Sequence, residues 1–304
     1  MGKTIILVHG RAPKPRKQDL EALWLEALRY GLERDHPDKL AAYDQVKTEF
    51  VYYGDISNAF LDPHYDVVSD AQGRRVTLDE LKRYTRNDFF NEDKYNSLPG
   101  KSSLRESLAD AFASIGFRIG ISNPLIRKVL PDMQDYWNAD SEYGTDVRFP
   151  MIKPMCDAMD RDDTIMVIAH SLGTMIAYDT FWKFCHTGEY RPAYTTKNID
   201  LFISLGCPLG DDTVKDNLKG ARARGQRRYP DNIRRWVNIA AEDDYISHDE
   251  RLEDDYRAMV PGLVSSITDH RIFNLAVRNG ASNPHHGAGY LLHPVLADVV
   301  AAWL

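Results

Sequence analysis

One short segment, residues 165–174, constrains the fold of this chain more than any other. Residues 165–169 are apolar without alternation, which is typical of a strand buried on both faces of a parallel sheet. Residues 172–185 follow with an apolar pattern almost all round, which predicts a buried helix. Ser171 joins the two, with Ala169 and Gly173 two positions before and after it. Because strand and helix backbones approach each other at such a turn, both flanking residues must be small, and the turn lifts the serine hydroxyl above the sheet.

The remaining apolar runs alternate between strand and helix patterns. Besides residues 165–169, strands are predicted at residues 5–8, 50–53, 199–205, 233–240 and 271–277. Helices are predicted at residues 20–28, 172–185 and 290–304, where apolar side chains recur at helical spacing or cover the whole helix. This order predicts an α/β fold with a mostly parallel sheet flanked by helices.

Residues 55–145 interrupt this alternation, because they contain no convincing interior strand. Ser103 and Glu106 fit a capping box, and the apolar stripe behind them is helical. We therefore predict a core made of residues 1–54 and 146–304, with residues 55–145 as a helical insertion.

Composition excludes several classes of protein. The chain has 304 residues and a net charge of −7, which disfavours a dedicated binder of nucleic acid or of anionic membranes. Three cysteines cannot form a disulfide framework or a CxxC zinc site, and we expect neither a metal nor a cofactor. The sequence lacks a signal-peptide pattern and a run of about 20 apolar residues, so we expect a cytoplasmic protein without a transmembrane segment. The oligomeric state is left open.

A serine presented in this way needs a base to accept its proton and a carboxylate to orient that base. Both should follow the carboxyl ends of later strands. His285 and His286 meet this condition, since they lie between the last predicted strand and the last predicted helix. We favour His286, because the glycines after it allow the loop to approach the serine, and keep His285 as the alternative. His270 precedes the last predicted strand and is expected at the opposite edge of the sheet.

The carboxylate should follow the strand predicted at residues 233–240. Asp243 and Asp244 both qualify by position, and we favour Asp244 over Asp243. Ser204 also precedes Leu-Gly at a strand end, but Phe202 occupies the position that must be small, so Ser204 is not the predicted nucleophile.

The order Ser171, Asp244, His286 along the chain resembles that of the α/β-hydrolases of the lipase and esterase kind. Residues 169–173, Ala-His-Ser-Leu-Gly, resemble the nucleophile elbow of that family, with alanine in place of its first glycine. Residues 8–10, Val-His-Gly, resemble the turn that contributes to its oxyanion hole. Residues 204–210 resemble the loop after the next strand in some bacterial members, and residues 244–246 resemble their acid turn.

The resemblance implies an α/β-hydrolase fold in which residues 55–145 form a lid. It implies that the backbone amides of Leu172 and Arg11 hold the oxyanion, and that His9, Gly10 and His170 flank the pocket. The expected activity is hydrolysis of a small-molecule carboxylic ester through a Ser-His-Asp triad and an acyl-enzyme. Two alternatives are an acyltransferase that uses the same triad, and a catalytically silent protein of this fold that binds a partner through the insertion or the basic residues 219–235.

Overall fold

A computed structural model describes residues 2–101, 131–247, 251–262 and 266–304. Six strands, numbered β1 to β6, span Lys3–Val8, Lys47–Val51, Thr164–His170, Leu201–Leu205, Arg235–Ala241 and Ser266–Ile272. They form one sheet in the order β2-β1-β3-β4-β5-β6, and every pairing is parallel. A short antiparallel pair, Val277–Arg278 with Ala281–Ser282, follows β6. The predicted α/β fold with a parallel sheet is confirmed.

Helices surround the sheet. Those described, numbered α1 to α13, are Lys17–Asp35, Leu40–Tyr43, Gly54–Leu61, Val67–Leu81, Glu92–Asn96, Pro131–Trp137, Tyr143–Asp160, Leu172–His186, Arg191–Tyr194, Asp212–Asn217, Leu252–Asp255, Gly287–Leu291 and Pro294–Trp303. Short 3₁₀ helices span Pro37–Lys39, Arg86–Phe90, Gly225–Arg228, Tyr245–Ser247 and Arg257–Gly262.

The core lies on both faces of the sheet, which explains why the central strands read as continuous apolar runs. Ile5 and Leu7 of β1 belong to a cluster with side chains of α1 and α13. Ile6 and Val8 point to the other face and belong to a cluster with side chains of α7 and α8. All four are fully buried, so alternate residues of one strand supply both halves of the core.

The strand order creates a crevice at the carboxyl edge of the sheet. From β1 the chain continues to β2 on one side, whereas from β3, on the other side of β1, it continues to β4 in the opposite direction. The chain therefore leaves the neighbouring strands β1 and β3 in opposite directions. Open parallel sheets bind ligands in the crevice at such a reversal of strand order. Gly10 follows β1 and Ser171 follows β3, which places both residues at this crevice.

Three predicted elements differ from those observed. The second strand spans Lys47–Val51 and not residues 50–53. The last strand spans Ser266–Ile272 and not residues 271–277, so His270 lies inside it rather than before it. Among the described residues this strand pairs with β5 alone, and because such an edge strand is partly exposed, it lacks the continuous apolar run of an interior strand. The predicted closing helix is divided into α12 and α13, and the side chain of His293 caps α13 by accepting a hydrogen bond from the Val295 amide.

The described part of residues 55–145 is helical and contains no strand. The predicted capping box at Ser103 and Glu106 lies outside the described residues. The proposed boundaries of the insertion fall within α3 and α7, which pack against each other. Among the described residues, no helix combines the length and the apolar character that crossing a membrane requires.

Candidate active site

Ser171 occupies the turn between β3 and α8 in a strained conformation. Its φ of 55° and ψ of −129° fall in a region that L-residues rarely adopt. The backbone amide of Ser171 donates to the Leu205 carbonyl at 3.0 Å, which ties this turn to the end of β4. The turn therefore has the strained strand-to-helix geometry that the sequence pattern predicts.

Close contacts around Ser171 leave no room for a side chain at Gly173 or at Gly10. A Cβ atom at Gly173 would lie 2.3 Å from the His9 carbonyl oxygen and 2.7 Å from that of Val8. A Cβ atom at Gly10 would lie 2.7 Å from the Cβ atom of Ser171. The start of α8 and the chain after β1 thus pack backbone to backbone around the serine.

Gly173→Ala is expected to lower the free energy of unfolding by about 3 kcal/mol, because the added methyl group would overlap two backbone carbonyls. Gly188→Ala is the matched control, since no atom lies within 4 Å of a Cβ atom there. The control should change stability by about 0.5 kcal/mol or less. Urea unfolding measures both, and equal stability of the two variants would contradict the close approach.

The imidazole of His285 lies between Ser171 and Asp244. Its Nε2 is 2.9 Å from Ser171 Oγ, and its Nδ1 is 2.9 Å from Asp244 Oδ2. A carboxylate only accepts hydrogen bonds, so Nδ1 carries the proton of the neutral ring and donates to Asp244. Nε2 is then free to accept from the serine hydroxyl. The three side chains form one hydrogen-bonded chain at the carboxyl edge of the sheet.

Asp244 is held in its ionised form by its neighbours. Burial alone would raise the pKa of this carboxyl, but the charge and hydrogen bond of His285 and the hydrogen bond from Tyr290 lower it overall. The Tyr290 hydroxyl donates to Asp244 Oδ2 at 2.5 Å and accepts from the Ala241 amide at 3.0 Å. The sequence analysis missed Tyr290, because nothing in its local pattern indicates contact with a carboxylate 46 residues earlier in the chain.

His286, the favoured candidate for the base, is not the imidazole at the serine; that position is taken by the alternative candidate, His285. The side chain of His286 turns back to cap α12, where its Nδ1 accepts from the Ala288 amide at 3.3 Å. Its Nε2 is buried without a hydrogen-bond partner among the described residues. Burial lowers the pKa of His286 well below its usual value, so the ring is neutral. The glycines after His286 begin α12 instead of letting that histidine approach Ser171.

The other predicted residues near the serine have structural contacts. Tyr53 donates its amide to Nε2 of His9 at 3.1 Å, so Nδ1 of His9 donates to the Gly10 carbonyl at 2.8 Å. Nε2 of His170 lies 3.0 Å from the His285 carbonyl oxygen and donates to it. His170 therefore anchors the loop that carries His285.

Asp243 and Ser204 lie apart from the hydrogen-bonded chain. The Asp243 carboxylate accepts from the Tyr95 hydroxyl at 3.1 Å and lies 3.4 Å from the Lys101 ammonium. Ser204 is fully buried within β4 and accepts a hydrogen bond from Trp236 Nε1 at 2.9 Å. Neither residue contacts His285.

The two amides predicted to hold an oxyanion belong to Leu172, which follows Ser171 in the chain, and to Arg11, which follows Gly10. Leu172 is the first residue of α8, and amides in the first turn of a helix have no acceptor within that helix. Arg11 follows Gly10, which packs against Ser171, and it lines the same pocket as His285.

A pocket of about 350 Å³ opens beside this site. Its apolar wall comes mainly from α1 and includes Leu20, Leu23 and Trp24, while His170, His285 and His286 lie on the loops at the sheet edge. α4 adds Arg74 and Leu78, so the insertion contributes to the wall.

Three side chains with metal-ligand atoms lie together outside the pocket. Ligand atoms of Cys185, His186 and Asp231 are within 4.8 Å of one another. Burial raises the pKa of the Cys185 thiol, which disfavours the thiolate that binds metals, and His186 Nε2 already donates to the Tyr229 carbonyl at 2.8 Å. These contacts fit a hydrogen-bonded cluster better than a metal site.

No protein-family model matches the chain, and a search of curated proteins finds no match. The geometry around Ser171 is therefore the evidence on which a function can be proposed.

Proposed function

We propose that this chain is a serine hydrolase of the α/β-hydrolase fold that cleaves carboxylic esters. The observation that carries the proposal is the hydrogen-bonded chain from Ser171 through His285 to Asp244. The strained backbone of Ser171 supports it, since it presents the hydroxyl at the sheet edge. The order of the three residues along the chain, serine, aspartate, histidine, is that of the α/β-hydrolases.

In the first half of the reaction, Ser171 Oγ attacks the carbonyl carbon of the ester while His285 Nε2 accepts the hydroxyl proton. The resulting imidazolium is stabilised by Asp244, which stays ionised. The tetrahedral intermediate then collapses, the bond from the carbonyl carbon to the alcohol oxygen breaks, and Nε2 returns the proton to the leaving alcohol. The acyl group remains on Oγ as an ester.

In the second half, a water molecule replaces the alcohol. His285 Nε2 takes one proton from this water as its oxygen attacks the acyl carbonyl, and the proton passes to Ser171 Oγ when the acyl bond breaks. The products are a carboxylic acid and the free serine. In both halves, negative charge develops on the carbonyl oxygen.

The backbone amides of Leu172 and Arg11 are the donors proposed for that oxygen. Backbone amides suit this role because they are already oriented and need no reorganisation during the reaction. One such donor contributes about 3 kcal/mol to stabilisation of the transition state. We further propose that residues 55–145 act as a cap, because α4 supplies part of the pocket wall.

The proposal is tested by labelling with a fluorophosphonate probe and by turnover of 4-nitrophenyl esters of graded acyl length. We expect the probe to modify Ser171, and Ser171→Ala to lose both labelling and ester turnover, because no other hydroxyl contacts His285 among the described residues.

Ser204→Ala is the matched control, since Ser204 is also followed by Leu-Gly but is buried in β4. It should retain labelling and turnover, with circular dichroism confirming that both variants fold. Labelling or turnover that survives in Ser171→Ala would refute the proposed function.

A further inference from the structure

The pocket beside Ser171 has a cationic wall as well as an apolar one. Arg11, Lys14, Arg74 and Arg278 line it, and no aspartate or glutamate is among its described lining residues. Asp70, just behind this wall, binds both Arg74 and Arg278. Asp70 is therefore shared by Arg74 and Arg278.

Lys14 is the most unusual member of this wall, because its side chain is buried and its ammonium forms no ion pair with a carboxylate of the described residues. Lys14 is only 6% exposed, and its ammonium donates to the carbonyl oxygens of Arg11 and Ala12. Burial, followed by the charge of Arg74, lowers the pKa of Lys14 well below its usual value. A charge placed in such a site is unfavourable unless an anion joins it.

The position of Lys14 is set by the fold. The Lys14 amide donates to Asn58 Oδ1, and Asn58 Nδ2 donates to the Lys14 carbonyl, each at 2.7 Å. Asn58 belongs to α3, so the loop after β1 is fixed to the first helix of the insertion. The Arg74 and Arg278 side chains are also restrained, being 18% and 17% exposed and joined through Asp70. The positive groups are thus held in place before any ligand arrives.

His286 adds a neutral donor to the same pocket. Its Nδ1 accepts from the Ala288 amide, so the proton of the neutral ring is on Nε2. His286 is only 7% exposed, and its Nε2 is buried with no hydrogen-bond partner among the described residues. A buried donor without an acceptor costs about 1–3 kcal/mol, and an anionic ligand in the pocket would supply that acceptor.

We propose that the pocket selects esters that carry a second, anionic group, a carboxylate or a phosphate, which binds between Lys14, Arg278 and the Nε2 of His286. This substrate class rests on the proposed ester hydrolysis at Ser171. Charge-assisted hydrogen bonds are stronger than neutral ones, and a low dielectric strengthens them further. The anion therefore contributes to affinity as well as to orientation of the ester.

The test compares pairs of esters of which one member carries an anionic group and the other is neutral. 4-Nitrophenyl hemiglutarate and its methyl ester place the anion on the acyl side, and glycerol phosphate monobutyrate and monobutyrin place it on the alcohol side. We expect kcat/KM to be about tenfold or more higher for the anionic member of at least one pair, and the preference to shrink as salt is added.

Variants show whether the cationic wall is responsible. Arg278→Gln and Lys14→Met should each reduce the ratio of anionic to neutral kcat/KM by about tenfold. Arg235→Gln is the control, because Arg235 lies at the amino end of β5, where it pairs with Asp200. It should leave the ratio as in the parent. Equal or higher kcat/KM for both neutral esters, or an unchanged ratio in both pocket variants, would overturn the proposed selectivity while leaving ester hydrolysis intact.

Calorimetric titration with glutarate and with inorganic phosphate separates this proposal from the proposed function. Binding that is lost in Arg278→Gln supports the anion site without requiring turnover. Absence of binding, together with the same kcat/KM for charged and neutral esters, overturns it. If no ester is hydrolysed and Ser171 is not labelled, the hydrolase proposal fails and the assignment of an ester substrate fails with it, whether or not glutarate or phosphate binds.

Discussion

His285→Ala is expected to lower kcat for a neutral 4-nitrophenyl ester by about 10³-fold or more. His285 Nε2 is the nitrogen 2.9 Å from Ser171 Oγ, so its removal leaves the serine without a base. Steady-state kinetics with active-site titration measures the loss, and urea unfolding confirms that the variant is folded.

His286→Asn is the informative comparison, because His285 and His286 are adjacent in the chain, but the His285 ring is hydrogen-bonded to Ser171 and the His286 ring caps α12. Asparagine can still cap α12, so the loop should keep its conformation. Since His286 does not contact Ser171, we expect kcat for the neutral ester to fall less than about tenfold. If this variant, correctly folded, lost as much activity as His285→Ala, the assignment of the base would be wrong.

Asp244→Asn is expected to reduce kcat by about 10⁴-fold, the loss seen when the carboxylate of such a triad becomes an amide. An amide group can donate to Nδ1 of His285, which favours the ring with its proton on Nε2. That tautomer cannot accept from Ser171. Tyr290 would also lose the charged acceptor to which its hydroxyl donates at 2.5 Å.

Asp243→Asn provides the control for the same chemical change one residue earlier. The Asp243 carboxylate contacts Tyr95 and Lys101 rather than His285. We expect kcat to change by no more than about threefold, since the change affects only the contacts of Asp243 with Tyr95 and Lys101, which lie outside the chain of hydrogen bonds at Ser171. Similar losses of kcat in the two variants would contradict the assignment of Asp244 as the carboxylate that orients His285.

The turn around Ser171 could be predicted because its causes are local. A buried strand, a single serine and a buried helix follow one another within the chain, and Gly173 is small because the backbones meet there. The interior strands could be recognised for a related reason, since burial on both faces leaves a continuous apolar run. β6 was misplaced because it is an edge strand with polar residues.

The choice between the two histidines could not be made from their sequence. The direction of each side chain depends on contacts from distant parts of the chain. His170 donates to the carbonyl of His285, and Asn274 donates to the carbonyls of Pro284 and His286 at 2.8 and 3.0 Å. These bonds set the path of the loop, and the path decides which imidazole faces Ser171.

The sequence by itself determined the α/β class, the serine at the bend and the loops that carry a histidine and an aspartate to the same edge of the sheet, because each depends on short-range patterns of apolar and small residues. The tertiary structure alone decided that His285 and Asp244 meet, that Tyr290 donates to Asp244, and that Lys14 and Arg278 line one pocket. These residues are far apart in the chain, and their contacts depend on side-chain directions that only the packed sheet and its loops determine.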